Sequence, residues 1–155
     1  MSKQWEDRFW SKIEKTDECW LWVAGMRPNG YGQFSVGYKK FYPHRLAYEL
    51  ANGPIQEGHV IDHRCHVKAC VNPEHLRSIS QKQNAENRSS AAFVGKSGAT
   101  GVYWHERAGK WVVQVKHNYK SHHGGLFVSR EDAAEAAKEL RIKLFTHNDI
   151  DRRAA

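Results

Sequence analysis

Apolar residues in the first part of the chain recur at two spacings, one typical of helices and one typical of strands. Trp5, Phe9 and Ile13 lie one helical turn apart, which predicts an amphipathic helix over residues 4–14. Over residues 19–42, alternating aromatic residues are interrupted by turn-forming residues, and this pattern predicts strands and turns. The first part of the chain is therefore expected to mix helix and sheet.

The middle of the chain continues this mixture. His44–Ala51 has the pattern of a short helix that stops at the turn signal Asn52-Gly53-Pro54. A strand that carries Asp62-His63 is followed by a polar loop and by a second strand over Leu76–Ile79. A further helix is predicted from Ser80 to about Arg88.

The C-terminal third has the pattern of a small sheet with one helix. Strands are predicted at Gly101–His105, Lys110–Lys116 and Gly125–Val128. Ser129 is placed to cap the helix that follows, and the apolar face of this helix should cover one side of the sheet. That face comprises Ala133, Ala137, Leu140 and Leu144.

Together these elements predict an α+β protein with two domains. A stretch rich in serine, alanine and glycine marks the boundary between them. The first domain is predicted at 1–90, the linker at 91–99 and the second domain at 100–155. The second domain should be a three-stranded antiparallel sheet packed against one helix.

The charge of the chain favours a polyanionic partner. The formal net charge is +7, and a basic excess of this size is typical of nucleic-acid-binding proteins. Solubility alone is the alternative explanation. Residues 96–128 hold five Lys or Arg against one acid, whereas residues 129–155 hold six of each sign. The basic excess of the C-terminal third therefore precedes its final helix.

The N-terminus and the apolar stretches bear on localisation. The N-terminus is polar and shows no apolar core of a signal peptide. No stretch approaches the roughly 20 apolar residues of a membrane span, and an odd count of three cysteines argues against a closed disulfide framework. We expect a soluble cytoplasmic protein with reduced thiols and no membrane partner.

A group of potential metal ligands lies in the polar loop. Cys65, Cys70 and His75 follow one another with four residues between each pair. Thiolate and imidazole are preferred zinc ligands, and a structural zinc site needs four of them. Cys19 is the remaining cysteine and is the natural fourth ligand. Buried free cysteines are the alternative explanation.

Three residues near this loop suit the hydrolysis of a phosphodiester bond. A neutral histidine such as His63 can act as a general base near pH 7. A hard cation such as magnesium prefers oxygen ligands, which Asp62 and the side-chain carbonyl of Asn84 offer. Strand, loop, strand and helix would bring these three residues together.

At these residues the chain resembles the His-Me finger nucleases, specifically the HNH family in its phage and intron-encoded branch. The resemblance runs from about Cys19 to Arg88 and implies a zinc-bound ββα-metal fold. The motifs that carry it are Cys19-Trp20-Leu21-Trp22, Gly30-Tyr31-Gly32-Gln33-Phe34, His44-Arg45, Asp62-His63 and Cys70-Val71-Asn72-Pro73-Glu74-His75-Leu76.

The resemblance implies a role for each of these residues. His63 would be the general base, Asn84 a ligand of the catalytic magnesium and Asp62 a second ligand. Asn72 would hold the loop and orient the histidine. The family's usual third motif residue is a helical histidine, and here Asn84 replaces it, as in the His-Asn-Asn variants. The structural zinc site of zinc-bearing homing endonucleases corresponds to Cys19, Cys65, Cys70 and His75.

Arg45 has two interpretations. Arginine pairs phosphate oxygens in a bidentate manner, so Arg45 is a candidate phosphate clamp near the nuclease site. The alternative is an ion pair with Glu49, which follows four residues later on the same predicted helix.

The C-terminal sheet has a polar face that could read DNA. Gln114 and Lys116 alternate with apolar residues along one predicted strand. A small sheet can enter the major groove and contact base edges, although a solvated basic face would show the same pattern. Residues 97–146 resemble the APETALA / ethylene-response-factor DNA-binding domain through Gly101-Val102-Tyr103-Trp104, Gly109-Lys110-Trp111-Val112-Val113-Gln114-Val115, Phe127 and Glu131-Asp132-Ala133-Ala134. By this resemblance, the DNA-facing positions are Tyr103, His105, Arg107, Gln114 and Lys116.

The combined hypothesis is a site-directed endonuclease that acts on double-stranded DNA. The two resemblances together suggest a phage or mobile-element homing endonuclease, which would work in the cytoplasm of a bacterial host. One nuclease centre should nick one strand, so a double-strand break would need two copies, as in a homodimer on DNA. The alternative is a zinc-stabilised DNA-binding protein or regulator without cleavage. RNA binding is a third class, but the aromatic residues repeated in common RNA-binding sheets are missing.

Overall fold

The computed structural model describes residues 4–87 and 97–153. These residues form two compact units, of which the first ends at Gln81 and the second begins at Lys82. Most of the predicted linker, residues 91–96, lies outside the described residues, as does the predicted helix end at Arg88. No helix in the described part of the chain is both long and apolar enough to cross a bilayer.

The first unit is built from short hairpins and two helices. Its strands pair as β1 with β2, β3 with β4 and β5 with β6, all antiparallel. A 3-10 turn at Pro73–His75 precedes β6. In chain order the elements are α1 (Gln4–Trp10), β1 (Ile13–Lys15), β2 (Trp20–Trp22), β3 (Phe34–Val36), β4 (Lys39–Phe41), α2 (Pro43–Asn52), β5 (His59–His63) and β6 (Leu76–Ser80).

An aromatic cluster forms the core of the first unit. Phe9 is fully buried, and its ring lies 5.5 Å from the Trp22 ring and 5.3 Å from the Phe34 ring. Burial of one such side chain contributes about 1.5–3 kcal/mol, so these rings hold α1, β2 and β3 together. Gly32 is required beside them, because a Cβ atom there would lie 2.6 Å from Trp22.

The predicted helix over residues 4–14 is wrong at its C-terminal end. The helix stops at Trp10, and Ile13 instead begins β1, where it pairs with Trp22. Ile13 still packs against the aromatic core. Apolar residues four apart in sequence can face the core both in a helix and in a strand. Here the pairing of Ile13 with β2 makes the segment a strand.

The predicted helix over residues 44–51 is present as α2 and positions two residues of interest. Pro43 occupies its first turn, where a missing N–H costs nothing. His44 and Ala47 are buried on the inner face. The helix ends at Gly53, which has a positive φ of 84°.

The second unit is a three-stranded antiparallel sheet covered on one face by a helix. The strands lie in the order β7-β8-β9, and Val102 and Val113 pack against Ala133 and Ala137 of the helix. Ser129 caps this helix by accepting hydrogen bonds from the N–H groups of Glu131 and Asp132, as predicted. The elements are α3 (Gln81–Glu86), β7 (Val102–His105), β8 (Lys110–His117), β9 (Lys120–Phe127), α4 (Arg130–Leu144) and α5 (Asp149–Arg153).

Two features of the second unit differ from the sequence expectation. β9 begins at Lys120 rather than at Gly125, because Ser121–His123 pair with β8 through their backbones despite the lack of apolar alternation. The register shifts by one residue between Val113 and Gln114, which leaves Gly124 without a partner opposite. The short helix α5 was not predicted, and its Asp151 forms a buried ion pair with Arg141.

Candidate active site and metal centre

Three cysteines and one histidine converge in the first unit. Cys19 directly precedes β2, Cys65 and Cys70 lie in the loop after β5, and His75 ends the 3-10 turn. The four ligand atoms all lie within 4.8 Å of one another. The Nδ1 atom of His75 is 3.7 Å from the sulfur of Cys19 and 3.7 Å from the sulfur of Cys70.

These distances suit a tetrahedral metal site. Two ligands that each lie about 2.3 Å from one ion are about 3.8 Å apart in that geometry. Soft thiolates with one imidazole form a donor set that a transition metal such as zinc prefers. The convergence of all four predicted ligands favours metal binding over separate buried thiols, so the Cys3His group could hold a metal ion.

Proton sharing perturbs the thiols in this group. A hydrogen bond from the Cys70 thiol lowers the pKa of Cys65 to about 4. The same bond raises the pKa of Cys70, and burial raises the pKa of Cys19. Metal binding would displace the shared protons, because the thiolate is the form that binds metal.

Backbone hydrogen bonds tie the ligand loop to β2. The Trp22 N–H donates to the Ala69 carbonyl, and the Val71 N–H donates to the Trp20 carbonyl, both at 2.9 Å or less. An isolated bridge also pairs Leu21 with Cys70. The N-terminal hairpin therefore supports the loop directly, as expected if Cys19 is the fourth ligand.

His63 lies at the end of β5 and is 6 % exposed. Its Nε2 atom is 3.0 Å from the carbonyl oxygen of Cys70. A carbonyl can only accept, so Nε2 carries the hydrogen and Nδ1 is the nitrogen with a free electron pair. Burial lowers the pKa of His63 below its ordinary value, although the Cys70 carbonyl opposes this shift. The ring is thus neutral and has one defined basic nitrogen.

Asp62 is paired with an arginine on the neighbouring strand. The Nε and Nη2 atoms of Arg77 lie 3.0 and 2.9 Å from Oδ2 of Asp62. The two residues are direct partners in the β5–β6 register. Arg77 was not singled out in the sequence, and it shares the carboxylate that the HNH resemblance assigns to a catalytic metal.

Asn72 shapes the loop after the metal ligands. Its side-chain oxygen accepts a hydrogen bond of 3.1 Å from the Glu74 N–H and caps the 3-10 turn. It is 7 % exposed. The His63 ring is oriented by the hydrogen bond that it donates to the Cys70 carbonyl, and Asn72 holds the loop that presents this carbonyl.

Aromatic rings enclose His63 on the side of α2. The ring of His44 lies 4.9 Å from that of His63, and the ring of Tyr31 lies 5.9 Å from it. Burial, and then the nearby His63 and Arg45, lower the pKa of His44 to about 3. His44 is therefore a second neutral imidazole beside the first.

Arg45 and Asn84 have less defined surroundings. Arg45 is half-buried on α2, and within the part of the chain that the structure describes it forms no ion pair with Glu49. Asn84 lies half-buried on α3, which belongs to the second unit from Lys82 onward. A joint role of Asn84 with Asp62 and His63 therefore stays a prediction.

In the second unit, four of the predicted DNA-facing residues share one face of the sheet. Tyr103 pairs with Val112 and His105 with Lys110 across β7 and β8. These positions alternate with Val102 and Val113, which face α4. By the same alternation Gln114 and Lys116 lie on the face away from α4, and Gln114 contacts His123 at 3.4 Å. Arg107 lies in the 3-10 turn between the two strands.

Comparison with known proteins agrees with the geometry of the first unit. Residues 41–86 match the HNH endonuclease family. This segment contains α2, β5, the ligand loop, β6 and α3, and so includes His44, His63 and three of the four potential metal ligands. Residues 41–86 are thus an HNH endonuclease family domain. No solved structure gives a significant match.

Three phage proteins are similar to part of the chain. Protein 7.7 of Escherichia phage T7 is 37 % identical over 71 residues, which cover 46 % of this chain and 55 % of that protein. Protein 2.8 of the same phage is 36 % identical over 69 residues, which cover 43 % of this chain and 46 % of that protein. This chain thus spans only about half of each of these two relatives.

The third relative defines the family. The uncharacterized gene 5.3 protein of Enterobacteria phage T3 is 37 % identical over 73 residues, which cover 43 % of this chain and 72 % of that protein. The chain therefore belongs to the same family of phage proteins as the gene 5.3 protein.

Proposed function

We propose that the protein is a metal-dependent endonuclease that hydrolyses phosphodiester bonds in double-stranded DNA, with His63 as the general base. The observation that carries this proposal is the hydrogen bond between His63 Nε2 and the Cys70 carbonyl. It leaves Nδ1 as the basic nitrogen of a buried, neutral imidazole within the segment that matches the HNH family. A general base needs this protonation state and a fixed orientation.

The reaction follows from this orientation. Nδ1 of His63 takes a proton from a water molecule as the water oxygen attacks phosphorus. The bond between phosphorus and the 3′ oxygen breaks, and that oxygen takes a proton from solvent. His63 then returns its extra proton to solvent. The products are a 5′-phosphate and a 3′-hydroxyl. Arg45, which has no protein ion-pair partner among the described residues, would pair with phosphate oxygens and orient the backbone.

Two metal ions are part of the proposal. The Cys3His group would hold a structural zinc ion, because all four ligands come from the protein and leave no open position. Asp62 and Asn84 would hold magnesium or another divalent cation. This cation would supply positive charge to the scissile phosphate and the leaving oxygen. Arg77 would then share the Asp62 carboxylate and set its orientation.

The second unit would select the cutting site. The face of the sheet with Tyr103, His105, Gln114 and Lys116 lies opposite α4, as in a sheet that reads the major groove. We assign an ethylene-response-factor type of DNA-binding domain to residues 100–155, with 91–99 as the linker and 1–90 as the nuclease domain. The phage relatives are compatible with a mobile homing endonuclease that acts in the host cytoplasm.

Cleavage of a supercoiled plasmid tests this proposal. The full chain should convert the plasmid to its nicked form with magnesium and should leave it intact with a chelator. End-labelling should find 5′-phosphate and 3′-hydroxyl termini. DNA binding without nicking at any divalent cation would instead support the alternative function, a zinc-stabilised DNA-binding protein without cleavage.

A further inference from the structure

His44 is buried without a hydrogen-bond partner. It is 6 % exposed, and its Nδ1 atom is completely buried with no partner. Within the described part of the chain, neither ring nitrogen forms a hydrogen bond. Buried polar groups are paired in the great majority of cases, so an unpaired imidazole requires an explanation.

Packing alone does not explain an imidazole at this position. The ring of His44 contacts the rings of His63, Tyr31 and Tyr42 at centroid distances of 4.9, 5.1 and 5.6 Å. A phenylalanine ring would fill this space equally well. It would also avoid the cost of burying an unpaired polar atom. The enclosed Nδ1 atom therefore costs stability without a gain in packing, which is the pattern of a side chain kept for function.

The protonation state makes His44 a donor. With its pKa lowered to about 3, the ring is neutral and carries one N–H group and one electron pair. Burying an unpaired N–H is less tolerable than burying an unpaired acceptor, so the enclosed Nδ1 is the acceptor and Nε2 carries the hydrogen. A neutral histidine near the start of a helix can donate a hydrogen bond to a developing oxyanion.

We propose that His44 is a catalytic residue that donates a hydrogen bond from Nε2 to a non-bridging oxygen of the scissile phosphate. The proposal rests on the nuclease function proposed above. The attacking water must lie about 3 Å from His63 and about 3 Å from phosphorus. A donor whose ring centre is 4.9 Å from that of His63 can therefore reach an oxygen of the same phosphate. This contact would give the Nε2–H group of His44 an acceptor, while the enclosed Nδ1 atom would stay unpaired as the cost of placing that donor at the site.

Three variants of the full chain test this proposal, assayed by single-turnover plasmid nicking and by thermal unfolding. His44→Phe keeps the ring and removes the donor, so nicking should slow by about 100-fold while the unfolding midpoint stays equal or rises. His44→Gln keeps an N–H near the Nε2 position and should retain nicking within about 10-fold of wild type. His59→Phe is the matched control. His59 lies at the start of β5, away from His63, and this change removes its hydrogen bond to Ser78 of β6. The variant should have a lower unfolding midpoint but an unchanged nicking rate.

A His44→Phe protein that nicks within about threefold of wild type would overturn the proposal. If that variant does not fold, the nicking rates of His44→Gln and His44→Asn are compared instead. His44→Asn should be the slower of the two, because the shorter asparagine amide cannot reach the Nε2 position. Equal rates for these two variants would also overturn it. A wild-type chain that does not cleave DNA would refute the nuclease function itself. An active wild type with an inactive His63→Ala and a fully active His44→Phe would refute only the role of His44.

Discussion

The imidazole of His63 is held by the backbone carbonyl of Cys70 at 3.0 Å, and Cys70 is also one of the four potential metal ligands. One residue therefore connects the candidate base with the potential metal site, through its backbone on one side and its sulfur on the other. A metal ion bound by Cys70 would fix the position of this carbonyl and with it the tautomer of His63. A backbone group that accepts a hydrogen bond from a functional side chain in this way sets the orientation of that side chain.

This connection predicts that loss of the structural metal impairs cleavage as well as folding. The wild-type protein should hold about one zinc ion per chain. Cys70→Ser should hold less zinc and should have a lower unfolding midpoint. Elemental analysis and calorimetry measure both effects. Nicking should fall even at saturating magnesium, because the His63 ring loses its fixed acceptor. A well-folded wild-type protein purified without any bound metal would contradict this prediction.

The Asp62–Arg77 pair predicts a coupled effect on stability. Side-chain exposure is 10 % for Asp62 and 20 % for Arg77, so the loss of either partner leaves a largely buried charge. Arg77→Met should destabilise the fold by at least about 1 kcal/mol. The double variant Arg77→Met with Asp62→Leu should be more stable than the sum of the single changes predicts. Denaturant unfolding of the four proteins gives this coupling energy, and simple additivity would mean that the pair contributes nothing.

Local patterns pointed to the four potential metal ligands that the structure brings together, whereas long-range contacts could not be predicted from the sequence. Cys65, Cys70 and His75 are close in sequence, so their spacing alone indicates a shared site. The Cys70 carbonyl has no sequence signature, because any residue offers a backbone oxygen. Its contact with His63 appears only once the loop folds back on β5. The pairing of Arg77 with Asp62 depends on the register between β5 and β6, and the sequence of either strand alone does not show this register.

The same distinction explains the errors in the predicted elements. Ile13 has the spacing of a helix with Phe9, but its pairing with Trp22 places it in β1. The start of β9 was missed because Ser121–His123 are polar and are held by backbone bonds to β8. In both cases a neighbouring strand overrides the local pattern. The residue pattern did predict α4 and its packing face, where Ala133 and Ala137 are fully buried.

Acid should destabilise the second unit through Asp151. Burial opposes ionisation, but hydrogen bonds from Arg141 and Asn148 outweigh this effect and lower the pKa of Asp151 below its usual range. A carboxyl with a lowered pKa in the folded state stabilises above its unfolded pKa of about 3.9, and this contribution is lost as the pH falls through the folded value. Asp151→Asn should therefore weaken the pH dependence of unfolding below about pH 4. Equal pH dependence in both proteins would exclude this role.

The polar face of the sheet predicts two different mutational effects on DNA recognition. Gln114→Ala should change the preferred cleavage sites, because glutamine can read base edges. Lys116→Ala should weaken binding to all sequences and should reduce its salt dependence, as expected for a phosphate contact. Cleavage maps on randomised DNA measure the first effect, and binding at several salt concentrations measures the second. Unchanged maps for Gln114→Ala would argue against base reading by this residue.

The role of His63 as general base is tested most directly by the single-turnover nicking rate of His63→Ala with saturating magnesium. The protein should bind DNA and zinc as the wild type does, because the change removes the base and leaves the four metal ligands in place. The rate should fall by about 100-fold or more, the usual contribution of a positioned general base. His59→Ala, which changes a histidine at the other end of β5, should nick at the wild-type rate. A His63→Ala protein that nicks as fast as the wild type would show that His63 is not the general base.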